Sequence, residues 1–364
     1  MDTFASELHT SFPLQLEANH VIDNSQIFVG VFPRGPSGTE LIGTYQNTSS
    51  FNFQDDISQS IYEICKVTPF GVLCFFPSYA LLEKVLERMQ RTGKYKELLQ
   101  IKEIVIEPRS GPAEDFEKII KHYYKTISEC KKSPTGLTKV SNRSGITGAI
   151  FFAVYRGKVS EGLDFADENA RVVINVGIPY PAFKDPRVTL KKEYNDRNTK
   201  TGSLLPGMQW YETQAFRAMN QALGRCIRHR NDWGAVIFLD QRFTTQRNIQ
   251  KLSKWVRPSV KSYSKFTEGI GALREFMKSK GTIKLPEEHM AEMIQEEDDD
   301  PENAVNNNIV HDPFASNFTN SKSSTDSIGS ADKNKKTTSN NETNSFFNRK
   351  GAKTLGARGK RPFI

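Results

Sequence analysis

The stretch Phe70-Gly-Val-Leu-Cys-Phe-Phe76, then Pro77, then Ser78-Tyr-Ala-Leu-Leu-Glu-Lys-Val-Leu-Glu-Arg-Met89, decides the fold class. The first part is continuously apolar between Pro69 and Pro77, which reads as a strand buried on both faces; a strand with one wet face would alternate. Ser78 is placed to cap a helix in which Leu81, Leu82, Val85, Leu86 and Met89 recur at helical spacing, and Gly93 stops it. The unit is a strand feeding a crossover helix. Ile104-Val-Ile106, Ala149 to Val154, Val172 to Val176 and Ala235 to Leu239 read as further buried strands. Pro112 to Lys131 reads as a helix with Phe116, Ile119, Ile120, Tyr123, Tyr124 and Ile127 on one side, and a long helix is expected from Trp210 to about Arg230. Strands alternating with helices predict an α/β fold, a parallel sheet with helices on both faces. Ligands of such sheets gather beyond the carboxyl ends of the strands.

Around these elements, 364 residues are 37% hydrophobic and 25% charged, with Lys+Arg 50 against Asp+Glu 42 and a net charge of +8. That is ample for a buried core and excludes a chain disordered throughout. The longest apolar runs, such as Val72 to Phe76, fall far short of the roughly 20 residues that cross a bilayer, and the first eight residues show no cationic leader. The expectation is a soluble chain in a reducing compartment, with no membrane partner. Cys65, Cys74, Cys130 and Cys226 are scattered without a C-x-x-C pair, so they read as small buried thiols and no metal site is expected.

Composition shifts near residue 286. An acidic run, Glu296-Glu-Asp-Asp-Asp300, opens an Asn/Ser/Thr/Lys-rich stretch too poor in apolar residues to offset its ordering entropy. Residues 1–285 read as the folded part and 286–364 as a disordered tail, acidic and then basic. The closing cations Arg349, Lys350, Lys353, Arg358, Lys360 and Arg361 suit either a solubilising end or a nuclear-import or nucleic-acid tether. Phe346-Phe347 fits the anchor of a sliding-clamp peptide, but Asn340 and Thr343 stand where such motifs carry Gln and an aliphatic residue.

Two segments carry candidate chemistry. On a helix from Trp210 to Arg230, Gln221, Arg225 and Arg228 would share a narrow arc free of acids, opposite Phe216, Met219, Leu223, Cys226 and Ile227. Two guanidiniums with an amide beside them suit a polyphosphate, and Gly224 lets a phosphate come close; a plain basic face is the other reading. The turn Tyr155-Arg-Gly-Lys-Val-Ser-Glu-Gly-Leu-Asp-Phe165 offers amides at Gly157 and Gly162, a donor in Ser160 and an acceptor in Asp164. A polar turn without function fits equally.

Taken in order, Phe75-Phe-Pro-Ser-Tyr79, Arg156-Gly-Lys-Val-Ser-Glu-Gly-Leu-Asp-Phe165, Gln221-Ala-Leu-Gly-Arg-Cys-Ile-Arg228 with His229 to Gly234, and Leu239-Asp-Gln-Arg-Phe243 resemble motifs IV, V and VI of the XPD-type superfamily-two DNA helicases. These are DEAH enzymes with an iron-sulfur domain. Gln15 to His20, Tyr194-Asn-Asp196 and Leu205 to Tyr211 extend the resemblance, which runs from Met1 to about Leu285. It implies a RecA-like second motor domain, with its first ~45 residues the edge of a preceding motor domain. It implies ATP and Mg²⁺ shared with that domain, a 4Fe-4S cluster elsewhere in the full-length protein, 5′ to 3′ unwinding of single-stranded and forked DNA, and nuclear DNA repair including interstrand crosslinks. Arg225 and Arg228 would be arginine fingers with Gln221 beside them; Gly162, Asp164, Glu161 and Gly224 would line the nucleotide. Ser78, Tyr79, Arg156, Lys158 and Ser160 would meet DNA, and the tail a repair or clamp protein.

The Gly-Lys pairs at 93, 157 and 359 are followed by Tyr, Val and Arg, so none completes a G-x-x-x-x-G-K-[ST] phosphate loop. The chain therefore reads as the second half of a helicase. A non-catalytic nucleic-acid-binding or regulatory module is the alternative from another class.

Overall fold

The computed structural model describes residues 5, 7, 8, 10, 12–14, 16, 21–140, 143–160, 163–202, 204–281 and 284–291, with backbone alone at 160, 201 and 202. In chain order its main elements are β1 (Ile27–Val31), α1 (Phe51–Lys66), β2 (Val72–Phe76), α2 (Tyr79–Arg91), α3 (Lys94–Leu99), β3 (Glu103–Ile106) and α4 (Ala113–Lys132). A short hairpin of β4 (Thr138–Val140) and β5 (Arg143–Ile146) precedes β6 (Ala149–Val154) and β7 (Val172–Val176). Then come α5 (Pro186–Gly202), α6 (Gly207–Leu223), β8 (Gly234–Leu239), α7 (Gln246–Ile249), β9 (Val260–Ser262) and α8 (Phe266–Lys280).

Seven strands form one parallel sheet in the order β3-β6-β2-β7-β8-β1-β9. The α/β class and the buried parallel strands expected from the sequence are what forms. The central strands are buried at every position, and their alternate side chains feed two separate cores. Cys74, Phe76, Phe152 and Ile174 pack with α1, α2, α3 and α8 on one face; Leu73, Phe75, Phe151 and Val173 pack with α4 and α6 on the other. Ser78 caps α2 as expected, its hydroxyl accepting the Leu81 N–H at 3.3 Å, and Gly93 takes the left-handed conformation just past the helix, at φ 80°.

Three features differ from the sequence reading. Ile27–Val31 and Phe51–Lys66 are a strand and a helix that the sequence reading did not identify, and β1 lies inside the sheet between β8 and β9. Order also extends past residue 285: residues 286–291 are helical, Met290 packs on the core, and Arg274 grips Glu287 with two nitrogens. Most consequential, α6 ends at Leu223, not near Arg230. Gly224, a poor helix former, caps it, and Cys226 and Ile227 then turn into the core on the α4/α6 side. Arg225 and Arg228 therefore sit on an irregular turn and not on a helix face.

One buried charge holds the sheet's amino edge. Lys102 is fully buried, and its ammonium donates to the carbonyls of Phe70 at 2.9 Å and Thr147 at 3.4 Å, at the starts of β2 and β6. Burial pushes its pKa down to about 8. Between pH 8 and the ordinary lysine value near 10.4, the unfolded chain holds a proton here that the folded chain has lost, so this group makes stability rise with pH. Buried thiols and tyrosines titrate in the same range with the opposite sign. The expected signature is thus a difference: urea-unfolding stability of wild type gains on that of Lys102→Met as pH is raised from 8 to 10.

Candidate functional site

The connection from β6 to β7 contains no α-helix, so it crosses the sheet from the carboxyl ends to the amino ends within residues 155–171. It thereby divides the turn that the sequence reading placed wholly at the carboxyl ends. Arg156 and Lys158 stay there; Leu163, Asp164 and Asp167 lie at the amino ends with the turn that follows α6.

At the amino ends, Arg225 Nη1 and Arg228 Nη2 both donate to the carbonyl oxygen of Leu163, the latter at 3.1 Å. Arg228 Nε lies 3.1 Å from Asp164, whose backbone carbonyl accepts the Tyr124 hydroxyl at 2.6 Å. Burial, and then the neighbouring Arg228 charge, push the Arg225 guanidinium below its ordinary value. The structure thus brings Arg225, Arg228 and Asp164 together, with Gly224 starting the turn and the exposed Gln221 in the last turn of α6. Glu161, Gly162 and the Ser160 side chain lie outside the described residues.

The turn is held from behind by residues that the sequence reading missed. Asp232 is fully buried; one carboxylate oxygen accepts from Arg171 Nη1 and from the Trp233 N–H, each at 2.8 Å, and the other accepts the Arg228 N–H at 3.1 Å. Arg171 is 4% exposed, stacks its guanidinium 4.2 Å from the centre of the Trp233 ring, and reaches Glu168 at 3.4 Å. An acid and a base 61 positions apart leave no local signal of their pairing. His229 meets Asp167 at 3.0 Å on the outside of the same turn.

Asp167, His229 and Asp232 are the one group of three candidate metal-ligating side chains close enough to share an ion among the described residues. They do not fit Mg²⁺, because Asp232 is occupied by Arg171 and two backbone N–H groups and Asp167 by His229. The four cysteines do not fit a 4Fe-4S cluster either: no three of them come together, and burial pushes the Cys65 thiol to about 12 and the Cys130 thiol to about 11, against the thiolate form a cluster needs.

At the carboxyl ends, Arg156 adopts φ 63°, a left-handed conformation uncommon for a residue with a side chain. Its guanidinium donates to the carbonyls of Pro179 at 3.0 Å and Gln214 at 2.8 Å. Lys158 reaches over the Phe116 ring, 5.4 Å from its centre. Ser78 is exposed and Tyr79 half-buried; burial, then Glu107, push the Tyr79 hydroxyl up to about 12. Behind them the Tyr155 hydroxyl donates to Asn175 Oδ1 at 2.7 Å inside the sheet.

Next to Arg156 a groove of about 570 Å³ is lined by Arg187 and Lys191 from α5 and by Trp210, Gln214 and Arg217 from α6, with Glu7 at its rim. Gln214 belongs to both features, so the groove continues from the Arg156 turn. Cations around an aromatic ring suit a single nucleic-acid strand. Trp210 stood in the sequence reading only as the start of a helix; the cations at 187, 191 and 217 lie on two helices and share no local pattern.

A family model described as the helicase C-terminal domain matches residues 61–259, more than half of this chain. The chain belongs to that family, and its resemblance to XPD-type helicases is thereby placed in the helicase motor class. It is 48% identical over 278 residues to the Fanconi anemia group J protein homolog of Gallus gallus, covering 76% of this chain and 21% of that protein. To the regulator of telomere elongation helicase 1 of Rattus norvegicus it is 41% identical over 282 residues, again 76% of this chain and 21% of the relative. A solved structure titled XPD helicase aligns with 65% of this chain and 35% of its own at 20% identity, with a TM-score of 0.43. The chain spans about a fifth of the length of these curated relatives.

Proposed function

We propose that this chain is the second motor domain of an ATP-dependent 5′ to 3′ DNA helicase, supplying Arg225 and Arg228 to ATP held by a first motor domain. The observation that carries the reading is the convergence of both guanidiniums on one point, the Leu163 carbonyl. Two planar cations gathered there are ready to exchange a neutral oxygen for the charged oxygens of a γ-phosphoryl group, where fixed positive charge lowers the barrier. Asp232 and Arg171 keep the turn in place while the arginines change partners. Mg²⁺ and the phosphate loop would come with the first domain, since the acids here are otherwise engaged. A 4Fe-4S cluster would likewise be held elsewhere in the full-length protein.

DNA would lie at the opposite edge of the sheet, along Ser78, Tyr79, Arg156 and Lys158 and into the Trp210 groove. The family relationship and the basic tail support work on single-stranded and forked DNA in the nucleus, in repair that includes interstrand crosslinks, with the tail offered to a repair or clamp protein. Stacking of one base on an aromatic ring is worth about 1–3 kcal/mol. Trp210→Ala is therefore expected to weaken oligothymidylate binding by about 5- to 150-fold, converting that range at 1.4 kcal/mol per decade, while leaving its salt slope unchanged. Arg187→Ala with Lys191→Ala is expected to flatten the slope by about 2, one unit per phosphate contact. Fluorescence anisotropy across a salt series reads both. Wild-type affinity in Trp210→Ala would remove the groove from the DNA path.

A further inference from the structure

Glu107, the residue after β3, is 2% exposed, and no ion pair among the described residues includes it. Its carboxylate instead accepts backbone N–H groups from Val154 at 2.9 Å and Val159 at 3.3 Å, and the Tyr79 hydroxyl is hydrogen-bonded to it. These partners come from two elements. Val154 and Val159 bracket Arg156 and Lys158, and Tyr79 is the first residue of α2, beside Ser78. Gly157 lies flat against the same carboxylate: a Cβ there would stand 2.3 Å from Glu107 Oε1, so the turn closes around the acid only because residue 157 has no side chain. A buried carboxylate with no cation is costly unless its oxygens are filled by donors, and those donors are the turn itself. Burial pushes its pKa above the ordinary value and the backbone donors oppose that push.

We propose that Glu107 is a positioning residue for nucleic-acid contact: its carboxylate ties the turn carrying Arg156 and Lys158 to the start of α2, so that both elements meet one phosphodiester strand as a single surface. The inference rests on the reading above that these residues touch nucleic acid. Glu107→Gln preserves size but presents an NH₂ where the site holds only N–H and O–H donors, so one backbone N–H must lose its acceptor.

The test uses the full chain and a fluorescein-labelled oligothymidylate across a salt series, comparing wild type, Glu107→Gln, the Arg156→Ala/Lys158→Ala pair, and all three changes together. The expected result is that Glu107→Gln weakens binding about tenfold, flattens the salt slope toward that of the double variant, and adds nothing once Arg156 and Lys158 are gone. Amide exchange at Val154 or Val159 is expected to accelerate in Glu107→Gln. A merely structural role would lower the melting temperature without this dependence on the two cations. Wild-type affinity and slope in Glu107→Gln, beside a weakened double variant, would overturn the inference while leaving the DNA reading intact. Wild-type binding by the double variant would overturn the DNA reading and this inference with it. Where Glu107→Gln fails to fold, Gly157→Ala crowds the same oxygen from the other side: the same flattening is expected, and an unchanged slope would again overturn the inference.

Discussion

Arg228→Ala in a helicase carrying this chain is expected to lower the rate of ATP hydrolysis by about 10³- to 10⁵-fold, the range associated with an arginine finger. Arg228 is the more exposed of the pair and its guanidinium touches only the Leu163 carbonyl and Asp164, so it is free to move to a phosphate without breaking the core. Arg228→Lys is expected to recover little, because a point charge cannot give the paired, planar donation of a guanidinium. Arg225→Ala should fall in the same direction, and the two losses should not add, since residues that act as a unit behave that way. Single-turnover hydrolysis measured beside DNA affinity checks this: the rate collapses while affinity holds. A loss confined to affinity would move Arg228 out of the nucleotide site.

Asp232→Ala is expected to destabilise the folded chain by about 3–5 kcal/mol, the usual consequence of removing one member of a buried ion pair. The substitution strands Arg171, 4% exposed, with Glu168 at 3.4 Å as its remaining carboxylate, and leaves the Arg228 and Trp233 N–H groups without their acceptor. The neighbouring His229–Asp167 pair provides the contrast. Its two side chains are 45% and 44% exposed, and pairs of that kind are worth under about 1 kcal/mol. Urea unfolding of Asp232→Ala and Asp167→Ala should therefore differ severalfold in lost stability. Equal, small losses would mean that the Arg171–Asp232 pair does not hold the arginine turn.

What the sequence disclosed, and what it withheld, follows from how far each signal extends along the chain. The strands Val72–Phe76, Ala149–Val154 and Val172–Val176 were legible because burial on both faces leaves an unbroken apolar run. Helix α2 was legible because a capping serine, apolar spacing and Gly93 agree. Helix α1 spaces Phe53, Ile57, Ile61 and Ile64 at helical intervals between polar residues, a pattern that was present and not drawn out. The end of α6 was misplaced because Cys226 and Ile227 continue the apolar spacing of the helix although they enter the core from a turn.

At the site, the arginines were found through their motif, but the motif does not record that Arg156 and Asp164, eight positions apart, serve opposite edges of the sheet. That follows from a β6–β7 connection with no α-helix in it. Glu107, Arg171 and Asp232 were invisible for a simpler reason. Each is a single charged residue whose partners lie 47 to 61 positions away, and only folding makes the pairing.

The measurement that bears most directly on this account is ATP hydrolysis by the purified chain, with and without single-stranded DNA, in the presence of Mg²⁺. The proposed division of the motor predicts binding to the DNA without DNA-stimulated turnover. Robust turnover by the pure chain, abolished by Arg228→Ala, would contradict it.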